Sequence, residues 1–183
     1  MRRTKSTFLA LLAVLLLPMA ADADPISYNG SNATGDFWDR PIAGGPSISG
    51  LGPVQYSVQG FFTDSAGFYD FDSIQNYDGY IHVYEGVFDP LDQLANLLAG
   101  DDDGPGGIGT SQILGLTLSA NVQYFLVSSA FAAGDVGTFT NTIASQGLDA
   151  TIGLGLIPVP EPCTLALLGL GLLGIGAARR NKV

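Results

Sequence analysis

The central part of the chain alternates apolar and polar residues with a period of two, and this pattern restricts the possible folds more than any other feature. Val54, Tyr56 and Val58 alternate with polar residues, and the run continues to Phe62. In an extended chain, strict alternation places the apolar side chains on one face, as in a half-buried β-strand. We therefore predict that this segment is a strand of a sheet with one face buried.

Further apolar or alternating runs follow at 68–71, 80–84, 94–99, 111–118, 122–128 and 137–143. Turn-forming residues separate the runs, and no segment has the pattern of an amphipathic helix. We predict that the residues at 64–67 form the turn of a hairpin that joins the first two strands. The whole pattern predicts an all-β domain, an antiparallel β-sandwich of about seven to eight strands.

The N-terminus has the composition of a secretory signal peptide. Two arginines and a lysine precede the apolar run Phe8–Leu17, and Ala21 and Ala23 supply the small residues of a signal-peptidase site. We predict a signal helix within residues 1–23, cleavage after Ala23, and export of the chain that follows.

The C-terminus has three parts in a fixed order. The elbow Pro160-Glu161-Pro162 is followed by sixteen uncharged residues and then by a basic cluster that begins with Arg179 and Arg180. As a helix, these sixteen residues span about 24 Å, which is less than the ~30 Å hydrocarbon core of a membrane. The basic cluster favours the cytoplasmic side, which leaves the elbow at the outer face of the inner membrane.

This tail, residues 159–183, resembles a PEP-CTERM sorting signal, which an exosortase recognises in Gram-negative bacteria. The resemblance implies an exosortase as partner, a transient inner-membrane stage with a transmembrane helix, and a final location in the cell envelope or outside the cell. A plain single-pass tail anchor and a buried core helix are the alternatives, although a basic cluster at the end of the chain disfavours the core helix.

The segment between the two signals is strongly acidic. From Asp24 to Pro160 it contains fifteen acidic residues but only one basic residue, Arg40, so its formal net charge is −14. Such a charge excludes nucleic acid as a partner and favours divalent cations or cationic polymers. An acidic surface that serves only solubility is the alternative. The single cysteine, Cys163, lies in the tail, so the exported domain has no disulfide.

The exported segment also resembles bacterial pre-peptidase C-terminal (PPC) domains from Thr34 to Ile143. The similarity rests on the order and spacing of short motifs, chiefly 38–41, 78–84, 96–104 and 124–127. It implies a jelly-roll-like, non-catalytic module, calcium-dependent in some members. We divide the chain accordingly into an extended lead-in at 24–52, the PPC-like domain at 53–145 and a linker at 146–158.

Three adjacent carboxylates, Asp101, Asp102 and Asp103, form the densest charge in the chain. They repel one another unless they are fully solvated or bind a cation, and calcium prefers such oxygen ligands. The spacing does not fit an EF-hand loop, so a site must combine separate loops. We name Asp78, Asp101, Asp102 and Asp103 as candidate ligands, with Asp70 and Asp72 as alternative contributors, and a solvated loop as the alternative to a site.

The sequence offers little for catalysis. His82 is the only histidine and lies within an alternating strand, and there is no Gly-x-Ser-x-Gly motif. We predict a non-catalytic protein with a structural or binding role. A calcium-dependent module that binds carbohydrate, specifically exopolysaccharide, is the second hypothesis, and a hydrolase with paired carboxylates is the third.

Overall fold

The computed structural model describes residues 25–43, 45–147 and 149–158. These residues form ten β-strands: β1 (Ile26–Ser31), β2 (Phe37–Trp38), β3 (Val54–Thr63), β4 (Gly67–Gln75), β5 (Gly79–Glu85), β6 (Leu97–Asp101), β7 (Thr110–Leu118), β8 (Tyr124–Ala130), β9 (Thr138–Ser145) and β10 (Ile152–Leu154). In this part of the chain no helix is long and apolar enough to cross a membrane. The predicted signal helix and the predicted C-terminal helix lie outside the described residues.

The strands form two antiparallel sheets. The first has the order β1-β9-β4-β7, and the second has the order β10-β3-β8-β5-β6, with β2 also paired to β3. Side chains from both sheets share one core, which includes Phe61, Phe71, Ile81, Tyr124 and Ile143. The predicted all-β, antiparallel, two-sheet class is therefore confirmed, and the seven predicted strands correspond to β3 through β9.

Strand β4 demonstrates why the period of two leads to this architecture. Tyr69 and Phe71 are fully buried in the core, whereas Phe68 and Ile74 on the opposite face are 55% and 68% exposed. Alternate side chains of a strand point to opposite sides of its sheet, so one face of β4 is buried and the other is solvated. The regular burial of every second residue fixes the register of this strand.

Strand β5 departs from that pattern because both of its faces are covered. Its residues Gly79 to Tyr84 are all buried. On the outer side, Trp38 packs edge-on against His82 and Tyr84, at ring-centroid distances of 5.4 Å and 6.4 Å. Strand β2 therefore covers the outer face of the second sheet over β5.

The predicted hairpin between β3 and β4 is wrong. The two strands lie in different sheets, since β3 pairs with β8 whereas β4 pairs with β7 and β9. Both strands bury large aromatic side chains in the shared core, β3 from the second sheet and β4 from the first. The connection is fixed by the Tyr69 hydroxyl, which bonds to Thr63 Oγ1 and donates to the Ser65 carbonyl at 2.7 Å.

Three short strands lie in segments that the sequence analysis describes as a lead-in and a linker. Within the lead-in, β1 pairs with β9 along six residues, and β2 pairs with the start of β3. Within residues 146–158, β10 pairs with the end of β3, where Ile152 lies opposite Thr63. Both segments thus contribute edge strands to the two sheets.

Candidate functional site

Three of the four predicted ligands meet at one end of the domain. Asp78 directly precedes β5, and Asp102 and Asp103 directly follow β6. One carboxylate oxygen from each residue lies within 4.8 Å of the others. The connections at 76–78, 102–109 and 131–137 all lie at this end, which we call the loop end. The prediction that a site would combine separate loops agrees with this geometry.

Asp101 is directed elsewhere. Its Oδ2 atom accepts a hydrogen bond from the backbone N–H of Gln112 at 2.7 Å, so its carboxylate ties the end of β6 to β7. Alternation along an extended chain sends neighbouring side chains to opposite sides, which separates Asp101 from Asp102. Asp101 therefore has a structural partner and is not a member of the three-carboxylate group.

The connection between β6 and β7 is a tightly bonded loop. The Gly104 N–H donates to the Thr110 carbonyl at 2.7 Å, and the Gly107 N–H donates to the Gly104 carbonyl at 2.9 Å. Gly107 has a φ of +73°, a conformation that other residues rarely adopt. The Ser111 hydroxyl donates to the Asp102 carbonyl at 2.6 Å. These bonds hold the backbone of the loop, and with it the Asp102 carboxylate, in one position.

The site disfavours negative charge before any cation binds. Burial, together with the charges of Asp103 and Asp78, raises the pKa of Asp102 to about 6. Burial and the charges of Asp135 and Asp103 also raise the pKa of Asp78. The Asp102 Oδ1 atom is buried and has no hydrogen-bond partner among the described residues. A divalent cation would compensate both the repulsion and the missing partner.

Arg40 supplies the nearby positive charge, but its guanidinium donates its hydrogen bonds to backbone carbonyl groups. Its guanidinium donates to the carbonyls of Ala130, Phe131 and Pro41 at distances from 2.7 Å to 3.2 Å. It also lies 3.9 Å from the centre of the Tyr80 ring. The side chain is 2% exposed, and its charge lowers the pKa of Asp78 and Asp102 without cancelling the effect of burial.

Sequence reasoning missed this role of Arg40. Arg40 is the only basic side chain between the signal peptide and the sorting motif, and this isolation could have identified it as a residue with a specific role. Burial of an arginine is tolerated when its hydrogen bonds are satisfied, as those of Arg40 are by three carbonyl groups.

The ligand chemistry of the site is that of a hard cation. Carboxylate oxygens, with backbone carbonyls and water, are the ligands that calcium prefers, at a coordination number of six to eight. The three carboxylates supply part of such a shell. The group could therefore hold a metal ion such as calcium.

The alternative contributors named from sequence lie away from this group. Asp70 Oδ1 accepts hydrogen bonds from the Gly115 N–H and from Gln146 Nε2, both at 2.7 Å. Asp72 Oδ1 accepts from Gln112 Nε2 at 2.6 Å. Both carboxylates therefore organise the outer face of the first sheet.

His82 is enclosed in the second sheet. It is fully buried, and its Nε2 atom lies 3.2 Å from the Pro41 carbonyl. Burial, with a smaller contribution from the charge of Arg40, lowers its pKa to about 3. At neutral pH the ring is therefore uncharged and has no contact with solvent.

Comparisons with known proteins bear on the tail. Residues 158–180 match the model of the PEP-CTERM protein-sorting motif. The comparison with curated proteins gives no match. The predicted processing residues Pro160, Glu161, Pro162, Arg179 and Arg180 fall inside the matched range but outside the described residues, as do Ala21 and Ala23 of the predicted signal-peptidase site. The chain therefore carries a PEP-CTERM sorting motif at the C-terminus of a β-rich domain, which implies processing by an exosortase, export and sorting to the cell surface.

Proposed function

We propose that this protein is a non-catalytic binding or structural component, delivered by its sorting motif to the cell envelope or the extracellular matrix. The observation that carries the proposal is the position of the motif, which begins at residue 158, four residues after the last strand. The folded domain is thus the exported cargo of the signal, and the membrane stage is transient.

A non-catalytic role is supported by the surroundings of the groups that acid–base chemistry would use. His82 is buried and uncharged at neutral pH. Glu85, the only glutamate in the exported domain, is 3.5 Å from the Tyr124 hydroxyl at the opposite end of β5 from the three aspartates. A general base must reach the proton that it removes, and neither residue lies beside the acidic group at the loop end.

We also propose that the domain is PPC-like, with a jelly-roll arrangement. The support is topological. When β2 and β10 are set aside, the remaining eight strands divide into two four-stranded antiparallel sheets, with the orders β1-β9-β4-β7 and β3-β8-β5-β6. Eight strands in two sheets, with connections that cross between them, are the composition of a jelly roll.

Replacement of Pro160, Glu161 and Pro162 by alanine in the full chain tests the sorting proposal. We expect the variant to remain in the membrane fraction of its native host, because the exosortase has lost its recognition element, whereas the unaltered protein reaches the surface. In a host without the exosortase, the two proteins should have the same distribution. Surface delivery of the alanine variant in the native host would contradict the proposal.

Calcium-dependent binding of carbohydrate, with exopolysaccharide as the ligand, is the second candidate function. The approach of Asp78, Asp102 and Asp103 to within 4.8 Å supports the cation step of this function. Calcium in this role would neutralise the loop end, and its open coordination positions would accept sugar hydroxyls or carboxylates.

A calcium titration of thermal stability tests the cation step. At one hundred times its dissociation constant, a cation that binds only the folded state stabilises it by about 2.7 kcal/mol, so the melting temperature should rise by several degrees. Asp102→Asn with Asp103→Asn should abolish this rise. The control is Asp92→Asn with Asp149→Asn, two exposed aspartates away from the group, which removes the same charge.

Two results would contradict the calcium proposal. One is an equal rise of the melting temperature with magnesium and calcium at the same ionic strength, which indicates charge screening. The other is an unchanged calcium effect in the Asp102 and Asp103 variant. Calcium-dependent retention on the host exopolysaccharide would then be the measurement that extends the proposal from cation to carbohydrate.

A further inference from the structure

The chain enters the domain at the end opposite the loop end. Strand β1 begins at Ile26, which lies opposite Ile143 near the end of β9. The last residue of β1, Ser31, lies opposite Thr138, where β9 begins. Because the connection at 131–137 precedes Thr138, the start of β1 is remote from the loop end.

The chain also leaves the domain at that opposite end. The first residue of β10, Ile152, lies beside Thr63, the last residue of β3. After β10, the Gly155 N–H donates to the Gly60 carbonyl at 2.7 Å, and the Ile157 N–H donates to Gln123 Oε1 at 2.8 Å. Gln123 directly precedes β8, whose other end reaches the loop end. We call this region, where the described part of the chain begins and ends, the terminal end.

The length of β5 measures the separation of the two ends. Gly79 adjoins Asp78 at the loop end, and Glu85 lies opposite Tyr124 at the terminal end. The six steps from Gly79 to Glu85, at about 3.3 Å each, give a separation of roughly 20 Å.

The connections to the two signals are short. Ile157 is still bonded to the domain, and the apolar run of the tail begins at Cys163, so the connection from 157 to 163 spans at most about 22 Å when it is extended. The predicted signal-peptidase site at Ala23 is three residues before Ile26. A domain held by either connection therefore keeps its terminal end within reach of the point of attachment, whereas its loop end can lie farther away by the length of β5.

We infer that, while the sorting motif holds the precursor at the membrane, the domain turns its terminal end towards the membrane and presents its loop end to the surroundings. The loop end, which carries Asp78, Asp102 and Asp103, then faces away from the membrane until the motif is removed. This inference rests on the proposed sorting function.

Site-specific fluorescence on the membrane-held precursor tests the orientation. The full chain with Cys163→Ser receives one donor dye, either at Val87→Cys beyond β5 at the terminal end or at Ile108→Cys at the loop end. The two aliphatic side chains are 61% and 73% exposed, so they are matched sites for labelling. The precursor is produced in a host without the exosortase, and an acceptor dye is placed on the lipid headgroups.

We expect energy transfer from Val87→Cys to be about twofold or more higher than from Ile108→Cys, because roughly 20 Å of β5 separates the two positions. Equal transfer, or higher transfer from Ile108→Cys, in a membrane-associated precursor would overturn the orientation alone. A precursor found only in the soluble fraction would overturn both the orientation and the sorting proposal.

Discussion

The carboxyl group of Asp102 lies where both burial and neighbouring charge oppose its ionised form. Its pKa is raised, Asp78 and Asp103 lie nearby, and its buried Oδ1 atom has no hydrogen-bond partner within the part of the chain that the structure describes. Arg40 reduces the cost of ionising Asp102 but donates its hydrogen bonds to carbonyl groups. At the scale of single residues, the loop end is thus destabilised in a way that a cation can relieve.

The pH dependence of stability should reveal this cost. Because the pKa of Asp102 is higher in the folded state, the folded protein binds more protons, and stability is lost as the pH rises from about 4 through about 6. In calcium-free buffer, Asp102→Asn should therefore be more stable than the unaltered protein at pH 7, with a smaller difference at pH 4. Chemical denaturation of both proteins at pH 7 and pH 4 measures this difference in the free energy of unfolding.

The sign of the Asp102→Asn effect should reverse when calcium is saturating, because the variant then lacks a ligand. Asp92→Asn is the control, and it should change neither the stability at pH 7 relative to pH 4 nor the response to calcium. If the stability difference between Asp102→Asn and the unaltered protein is as large at pH 4 as at pH 7, the assignment of the pKa shift to Asp102 is contradicted.

His82 should produce a pH dependence of the opposite sign. Its pKa is lowered in the folded state to about 3, so the unfolded chain binds more protons below pH 6.5. Stability should be fully present above pH 6.5 and should fall with decreasing pH, at up to about 1.4 kcal/mol per pH unit. Comparison of the unaltered protein with His82→Gln by denaturation between pH 6.5 and pH 4 measures this slope, and an identical slope in both proteins would contradict it.

At the scale of elements, the long alternating runs were predictable and the short edge strands were not. The alternation around Tyr69 and Phe71 identifies β4 because the core selects every second side chain. Strands β2 and β10 have two and three residues, too few for a period to be recognised. In β1, Asn29-Gly30 is typical of a turn, but pairing with β9 keeps it extended.

The assembly of the site was only partly predictable for a related reason. The charge density identifies the loop after β6, but the inclusion of Asp78 depends on β5 and β6 being neighbours in one sheet. The exclusion of Asp101 depends on its bond to Gln112 in the other sheet. Both facts follow from the pairing of distant segments, which local sequence does not specify.

The attachment of β2 to β3 offers a test at this scale. A Cβ atom on Gly35 would lie 1.8 Å from the Tyr56 carbonyl oxygen, so the backbone would have to move. We expect Gly35→Ala to destabilise the domain by about 1–3 kcal/mol, as overpacking typically does. Gly50→Ala is the control, since nothing lies within 4 Å of its added Cβ. Equal melting temperatures for the two variants would contradict this account of β2.

At the scale of the whole molecule, the fold places the terminal end and the loop end on opposite sides of the domain. The terminal end adjoins the sorting motif, and the loop end carries the three-carboxylate group roughly 20 Å away along β5. A fifteen-acid domain with a single arginine repels anionic lipid and nucleic acid and attracts cations. The proposed function therefore places attachment during export at one end of the domain and cation binding at the other.

The intact mass of the mature protein, purified from the surface of its native host, tests the central claim most directly. If the protein is an exported cargo of the sorting motif, the mass should correspond to a chain that begins at Asp24 and ends near Pro162. A mass that still includes the basic cluster with Arg179 and Lys182 would contradict it.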